Sequence, residues 1–565
     1  MVVEFLVPFI ILALLGGIVA VVIASGRRRG SGGVDARGVR RFFQYLLLFI
    51  LSVVTAVGLT ELLGRLLGTS ADGTANGSYL LARALAFVII GLPLGVAVVW
   101  WMWRRQRVDP SEARSPLLTI YLTVMTLTAL VMAVVAISNL VADAIGWSRF
   151  DAAAAGQLLA WGGLWFVHWQ ATRRVLDGTR GDVQLLGGSL AGLVWGVWGV
   201  TATLATALDL LMRPGFLLNP GRSLAPGFGI LVAGSLVWVW YWLTSMRRRP
   251  GSIAWLVYLL LAGVGGGLIM SLVAASRMLW TILVWFIGDR LGQTASEHFD
   301  SMPRQIAAVV VGVLVWWYHR AILGQTTDRN EVTRVYEYLV SGIALIGAAW
   351  GVGTVVAGFI EAFTPGSDTG MTTQNTLLAA ATLLLVGVPV WWIHWRRICS
   401  AVAADPVTEV GSVTRRIYLV ALFGIAGLTA VIALLTAGFL FFQDLVDAQL
   451  GPATIRSMRY AVGVLVASAA VSAYHGTIFT QDRAVVVPVG LSEPRSVVLV
   501  GAADPDLART VHRATGARVE IWERLDRSCE AWEESSVLKA VDGHAGQDLL
   551  VINEDQGLQV VVVGR

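Results

Sequence analysis

The sequence predicts an all-α transmembrane bundle of about 13 helices, built from about six parallel two-helix hairpins, plus a small C-terminal cytoplasmic α/β domain. Three observations predict it. The chain has 565 residues, 56% of them hydrophobic and only 14% charged, with a mean hydropathy of +0.70. Soluble domains carry about 25% charged residues. Apolar runs of about 18 residues or more recur, each long enough to cross about 30 Å of hydrocarbon as a helix. The runs also come in pairs with one plan, shown best by Val332 to Ile398. That stretch opens on Arg334-Val-Tyr-Glu-Tyr338, turns at Thr364 to Gly370 and closes on Trp391-Trp-Ile-His-Trp-Arg-Arg397. A membrane barrel would need alternating segments of about ten residues, and the sequence has none.

Taken in order, the first helix is expected at 4–25, followed by a Gly/Ser/Arg linker at 26–39. The hairpins follow at 41–66 with 80–103, 116–146 with 156–172, 184–212 with 227–246, 253–288 with 304–323, the opening stretch, and 415–446 with 458–477. The return helices close on aromatic clusters: Trp100 to Trp103, Trp165 to Trp169, Trp238 to Trp242, Trp316 to His319, Trp391 to Trp395, and Tyr474-His475. The domains expected are 1–39, helix and basic linker; 40–482, six hairpins; and 483–565, a cytoplasmic α/β domain. In the last, Ser496–Gly501 reads as a buried strand, Pro505–Thr515 as a helix capped by Asp504 and stopped by Gly516, and Arg518 to Trp522 as a second strand. A helix at about 530–541 and strands Leu549 to Asn553 and Leu558 to Val563 around a tight turn complete β-α-β-α-β-β.

Loop charge sets the expected orientation. Basic residues cluster after the first helix, at Arg27–Arg29, and on the loops that share its side: roughly two dozen arginines against roughly nine opposite, a positive-inside bias. The N-terminus is then outside, hairpin starts and exits are cytoplasmic, and the turns near 67–79, 147–155, 213–226, 289–303, 364–375 and 447–457 face outward. Met1-Val-Val-Glu4 has no basic region ahead of the apolar run, which is not a secretory signal. Every copy enters and leaves on one side, so the repeats are parallel rather than inverted as in many transporters. The net charge of +5 follows from these loops and is no nucleic-acid signal. Arginine in place of lysine, Lys539 excepted, with much Ala, Gly and Val suggests a high-GC bacterial genome, hence a bacterial plasma membrane. Cys399 and Cys529 lie in no metal or redox spacing.

The opening pattern Arg-x-x-x-Tyr-Leu repeats at Arg41-Phe-Phe-Gln-Tyr-Leu46 and Arg334-Val-Tyr-Glu-Tyr-Leu339, with a shorter form at Arg416-Ile-Tyr-Leu419. Arg334 to Gly347 most closely resembles the bacterial membrane domain DUF5671, over the repeats at about 40–480 and not the C-terminal domain. The resemblance implies a multi-pass bacterial membrane protein of unknown function and supplies no activity and no site residues.

His168, His319, His394 and His475 fall in one repeated slot near the ends of return helices. Histidine carries protons and ligates metals and haem. The slot is embedded in Trp, Tyr and Arg, which belong at the headgroup layer, so an aromatic belt is the expected meaning, with proton or ligand chemistry the alternative. Haem fits poorly, because an axial pair across the membrane needs two depths. Charges within apolar helices are the second set, since they mark pathways or pairings. Glu61 should pair with Arg65; Asp143, Asp209, Glu361 and Asp444 lie near outer helix ends; Arg277 lies inside a long helix. Gly188, Gly192 and Gly196, and Gly263 with Gly267, form small-residue faces for close packing. Gly501-Ala-Ala-Asp-Pro sits where a phosphate loop could be, but G-x-G-x-x-G is missing. So are G-x-x-x-x-G-K-[ST], H-E-x-x-H, G-x-S-x-G and C-x-x-C, which argues against an ATP-driven pump, a zinc protease or a serine hydrolase.

The functional expectation is a non-enzymatic membrane scaffold or sensor, with membrane lipid around it and a cytoplasmic protein at its C-terminal domain. The alternatives are a channel or transporter for an ion or lipid-like solute, lined by Glu61, Arg277 or Asp209, and a haem- or quinone-handling redox protein. No cofactor, metal or nucleic acid is expected.

Overall fold

The computed structural model describes residues 36–68, 77–109, 112–146, 148–176, 178–212, 220–324, 330–366, 371–484, 494–524, 532–544, 546–554 and 557–563. The expected first helix, Arg27–Arg29 and Cys529 lie outside them. The described chain is mostly helical: α1 Ala36–Leu67, α2 Gly77–Val108, α3 Pro116–Gly146, α4 Ala152–Val175, α5 Thr179–Met212 and α6 Pro220–Trp238. They continue with α7 Ile253–Phe286, α8 Met302–Leu323, α9 Glu331–Phe363, α10 Thr373–Ala404, α11 Val413–Val446 and α12 Pro452–Ala484. Among the described residues, 11 helices are long and apolar enough to cross a membrane. The exception among these twelve is α4, whose Gly, Gln and His residues dilute its apolar ones. Most helices outrun their apolar runs, because a helix stops where its cap is, not where its hydrophobicity ends. Asn330, for example, starts α9 by accepting the Thr333 N–H at 2.9 Å.

The chain divides into two compact units, Met1–Arg396 with Ala426–Ala470, and Arg397–Ile425 with Val471–Arg565. In the first unit, glycines show how neighbouring helices meet. A Cβ on Gly58 would meet Ala84 and Phe87; one on Gly91 would meet Thr55; one on Gly95 would meet Leu51. The α1–α2 pair is therefore antiparallel. The same bookkeeping makes α5–α6, α7–α8 and α9–α10 antiparallel. The predicted small-residue faces do close packing: Gly192 abuts the Trp238 backbone, Gly188 the Tyr241 ring, Gly263 the His319 ring and Gly267 the Trp316 backbone. The helices bend into π geometry at Val239–Leu243 and Tyr258–Gly266. Such bulges are frequent where side chains must be re-aimed.

The second unit holds the C-terminal sheet. Its strands are β1 Ser496–Gly501, β2 Arg518–Glu523, β3 Asp548–Glu554 and β4 Gly557–Val563, in the order β2-β1-β3-β4. β1 runs parallel to β2 and β3, and β4 returns antiparallel to β3. Helices α13 Pro505–Thr515 and α14 Glu534–Val541 complete it. Val497, Leu499, Leu507, Val511, Val537, Leu549 and Val551 form its core. Asp504 caps α13 by accepting from the Asp506 and Leu507 N–H groups, and Gly516, at φ +64°, ends it in the left-handed region. This is the order of elements the sequence predicts.

Candidate functional site: buried joints between paired helices

The repeated histidines are interior residues. His168, His319, His394 and His475 are all buried, His319 to 1% exposure. Each Nδ1 lies 2.8–2.9 Å from the carbonyl four residues earlier: Leu164, Val315, Val390 and Val471. A carbonyl only accepts, so Nδ1 carries the proton and Nε2 of the neutral ring is an acceptor. Each ring then meets a tyrosine of the preceding helix. Tyr121 Oη lies 2.8 Å from His168 Nε2 and Tyr258 Oη 3.4 Å from His319 Nε2. Tyr336 and His394 are edge-to-face at 6.0 Å, and Tyr418 and His475 at 5.8 Å. In the first two, the tyrosine O–H donates to Nε2. Trp100, Trp103, Trp240, Trp317 and Trp392 are exposed, whereas these rings, Trp161 and Trp242 are buried.

Around α6–α8 the joints merge. Trp242 lies tilted against Tyr258, ring centroids 4.3 Å apart, and donates from Nε1 to Tyr318 Oη at 3.1 Å. Trp238 Nε1 donates to Tyr258 Oη at 2.7 Å, and Trp165 Nε1 to Tyr241 Oη at 2.8 Å. The aromatic residues thereby tie one hairpin to the next. The histidine slot is visible in the sequence; the tyrosines it pairs with, Tyr121, Tyr258, Tyr336 and Tyr418, emerge from the packing.

Of the charged candidates, Glu361 is the most enclosed. Its carboxylate lies 3.7 Å from Arg456 and 3.6 Å from Arg459 and accepts the Thr373 hydroxyl at 2.8 Å. Arg456 also donates to the carbonyls of Glu361 and Thr364 at 3.0 and 2.8 Å. Glu61 pairs with Arg65 at 2.9 Å, as expected, but that pair is a third exposed. Arg277 is exposed on α7 and Asp209 is half-buried near the end of α5. Among the described residues, no group of three or more His, Cys, Asp or Glu residues could hold a metal ion. At the phosphate-loop position, the first amides of α13 are taken by Asp504, and Trp532 covers Gly501 and bonds the Ala502 carbonyl at 2.6 Å.

Missed by the sequence reading is a second joint before the even-numbered hairpins. Ser115, Ser252 and Ser412 each precede a joint tyrosine by six positions, and three residues before each serine stands a charge: Glu112, Arg249 or Glu409. In all three the serine N–H turns back on that residue's carbonyl, at 3.3, 3.5 and 3.3 Å. Glu112 is gripped by Arg40 and by Arg41 at 2.9 Å. Ahead of Ser252 the polarity is reversed: Arg249 donates to Asp182 at 2.7 Å. Burial raises the Glu112 carboxyl, but hydrogen bonds from Arg41 and Arg40 outweigh it and hold the group below the ordinary carboxylate range.

Residues 41–162 and 334–470 match the family described as Domain of unknown function (DUF5671). Both stretches are similar to DUF5671 domains. No curated protein and no solved structure matches the chain. The first DUF5671 stretch takes in α1 to α3 and the first half of α4; the second runs from α9 into α12, and the C-terminal sheet lies outside both. Each carries one E-x-x-S-x-x-x-x-x-Y loop between its two hairpins, at Glu112 and at Glu409. The unmatched middle carries the charge-reversed form at Arg249.

Proposed function

We propose that this membrane protein is a non-enzymatic scaffold or sensor. Its helices form one leading span and six parallel hairpins, about thirteen in all, arranged as three four-helix copies of the DUF5671 unit. The N-terminus lies outside, and the C-terminal α/β domain is the cytoplasmic contact for a partner protein. What supports this is the use made of the interior polar groups. The four tyrosine–histidine joints, Glu361 with its two arginines, and Arg415 bound by Asp482 at 2.6 and 2.9 Å all lock helix to helix. A conduit would instead leave such groups facing water along a path.

The test has two arms. Purified protein in proteoliposomes should give no ion or solute flux above empty vesicles; flux that disappears on Glu361→Gln would refute the scaffold reading. A photo-crosslinking residue at Trp522, exposed on edge strand β2, should capture one cytoplasmic protein reproducibly. Labelling of that position from outside intact cells would refute the cytoplasmic assignment.

A further inference from the structure

The C-terminal sheet has two edges of different chemistry. In the order β2-β1-β3-β4 the outer strands are β2 and β4, and among the described residues each pairs on one side only. The far side of such a strand presents a row of N–H and C=O groups, a template for another strand, and native sheets guard it with charge, proline or a bulge. β2 is guarded. Arg518, Glu520 and Glu523 lie along it, and Arg518 bridges Glu520 at 2.9 Å. β4 is not. Gly557-Leu-Gln-Val-Val-Val-Val563 holds no charge and no proline, and its register with β3 runs unbroken from end to end. Val562 and Val563 are 52% and 36% exposed on it.

The open edge dictates the chemistry of its occupant. It offers backbone, so it takes a strand; its side chains are uncharged and mostly apolar, so they match a strand of the same kind. A second β4 meets both conditions. A two-fold axis through Val560, normal to the sheet, keeps each face of one strand beside the like face of the other. It sets Val560 against Val560, Gln559 against Val561, Leu558 against Val562 and Gly557 against Val563. Leu558 and Val560 pack on the domain core, so in this register their row runs on into the second copy, and the exposed Val562 is covered by Leu558 of the second copy. Copies of a membrane-anchored chain carry their sheets at one membrane surface, which raises the effective concentration of the second strand. The contact is isologous and closes at two, because the edges left outside are the charged β2 strands.

We propose that two copies of this chain associate through β4, antiparallel about Val560. The surface goes beyond the scaffold reading and is distinct from the β2 position at which a partner protein is sought. It rests on the sheet and on the chain being a membrane protein, not on the side the sheet faces.

The experiment is cysteine cross-linking of the full-length protein in native membranes, with Cys399 and Cys529 changed to serine. Gln559→Cys places a thiol at an exposed position of β4. Across the ladder the two thiols are diagonal neighbours, about 7–8 Å apart, within reach of a short bismaleimide. The expected product is a band of twice the 60.6 kDa chain mass, with no larger species. It carries both tags when two differently tagged copies are coexpressed. Arg518→Cys, on β2, should give no such band. Val562→Lys puts a charge at an exposed position of the edge, and added to Gln559→Cys it should abolish the band without changing the yield of folded protein. No band from folded Gln559→Cys protein would overturn the proposal. So would a band of equal strength from Arg518→Cys, a band that survives Val562→Lys, or a band that holds a different protein.

Discussion

Glu361→Gln is the sharpest perturbation of the buried joints. The substitution keeps size and one acceptor but removes the charge facing two guanidiniums at 3.6 and 3.7 Å. At an effective dielectric of ~20, a unit pair at such a distance attracts by about 4–5 kcal/mol. Desolvation of three enclosed charges offsets much of that while the cluster is intact. Once the carboxylate is gone, two arginines with side chains 11% and 13% exposed face one another without it. Breaking a buried pair in this way costs about 3–5 kcal/mol. Arg456 keeps its two carbonyl acceptors, so the lower half of that range is expected. Glu61→Gln is the control. It removes an i,i+4 pair that is a third exposed, worth about 0.3–0.5 kcal/mol. The assay is unfolding in mixed detergent micelles followed by tryptophan fluorescence. Equal losses for the two variants would refute the reasoning, because the difference between them rests entirely on enclosure.

Other expectations follow from the same geometry. Tyr121→Phe leaves His168 Nε2 without its 2.8 Å donor in a buried place and should cost about 1–3 kcal/mol; a null effect in the same unfolding assay would remove the joint. Glu112 has a lowered pKa when folded, so its stabilisation is complete above the ordinary carboxylate range and is lost as pH falls through the lowered value. An unfolding titration from pH 6 downward (a working range of roughly four units) should therefore be steeper for wild type than for Glu112→Gln, and identical profiles would contradict it. Gly156→Leu puts a side chain into the Gly64 and Thr60 backbone and should lower the yield of folded protein sharply, whereas Gly163→Leu on the same helix should not.

The elements of the C-terminal sheet region were legible in order and nearly in bounds. Strand alternation, the Asp504 cap and the Gly516 stop are local signals, and local signals decided it. Helix cores were equally plain, because hydrocarbon thickness imposes a length on the sequence; helix ends were not, because capping by residues such as Asn330 lies outside the apolar run. The histidine slot was visible as a pattern, yet its meaning was not. Proximity to Trp and Arg suggested the headgroup layer, and only packing shows that each ring turns inward onto a tyrosine. Glu361 shows the limit most clearly, since Arg456 is 95 residues away in sequence and no spacing rule connects them. Arg277 is the converse: the sequence put it inside a helix, which it is, while the structure leaves its side chain exposed.

The central claim is that every hairpin leaves and returns on one face, and cysteine accessibility tests it most directly. In a background with Cys399 and Cys529 changed to serine, single cysteines replace the exposed Val108, Ile253 and Val413 at the proposed inner ends, or the exposed Leu66, Phe363 and Val446 at the proposed outer ends. An impermeant maleimide should label the second set in intact cells and the first only after the membrane is opened. Labelling of Val108→Cys and Ile253→Cys from opposite faces would contradict the repeat architecture.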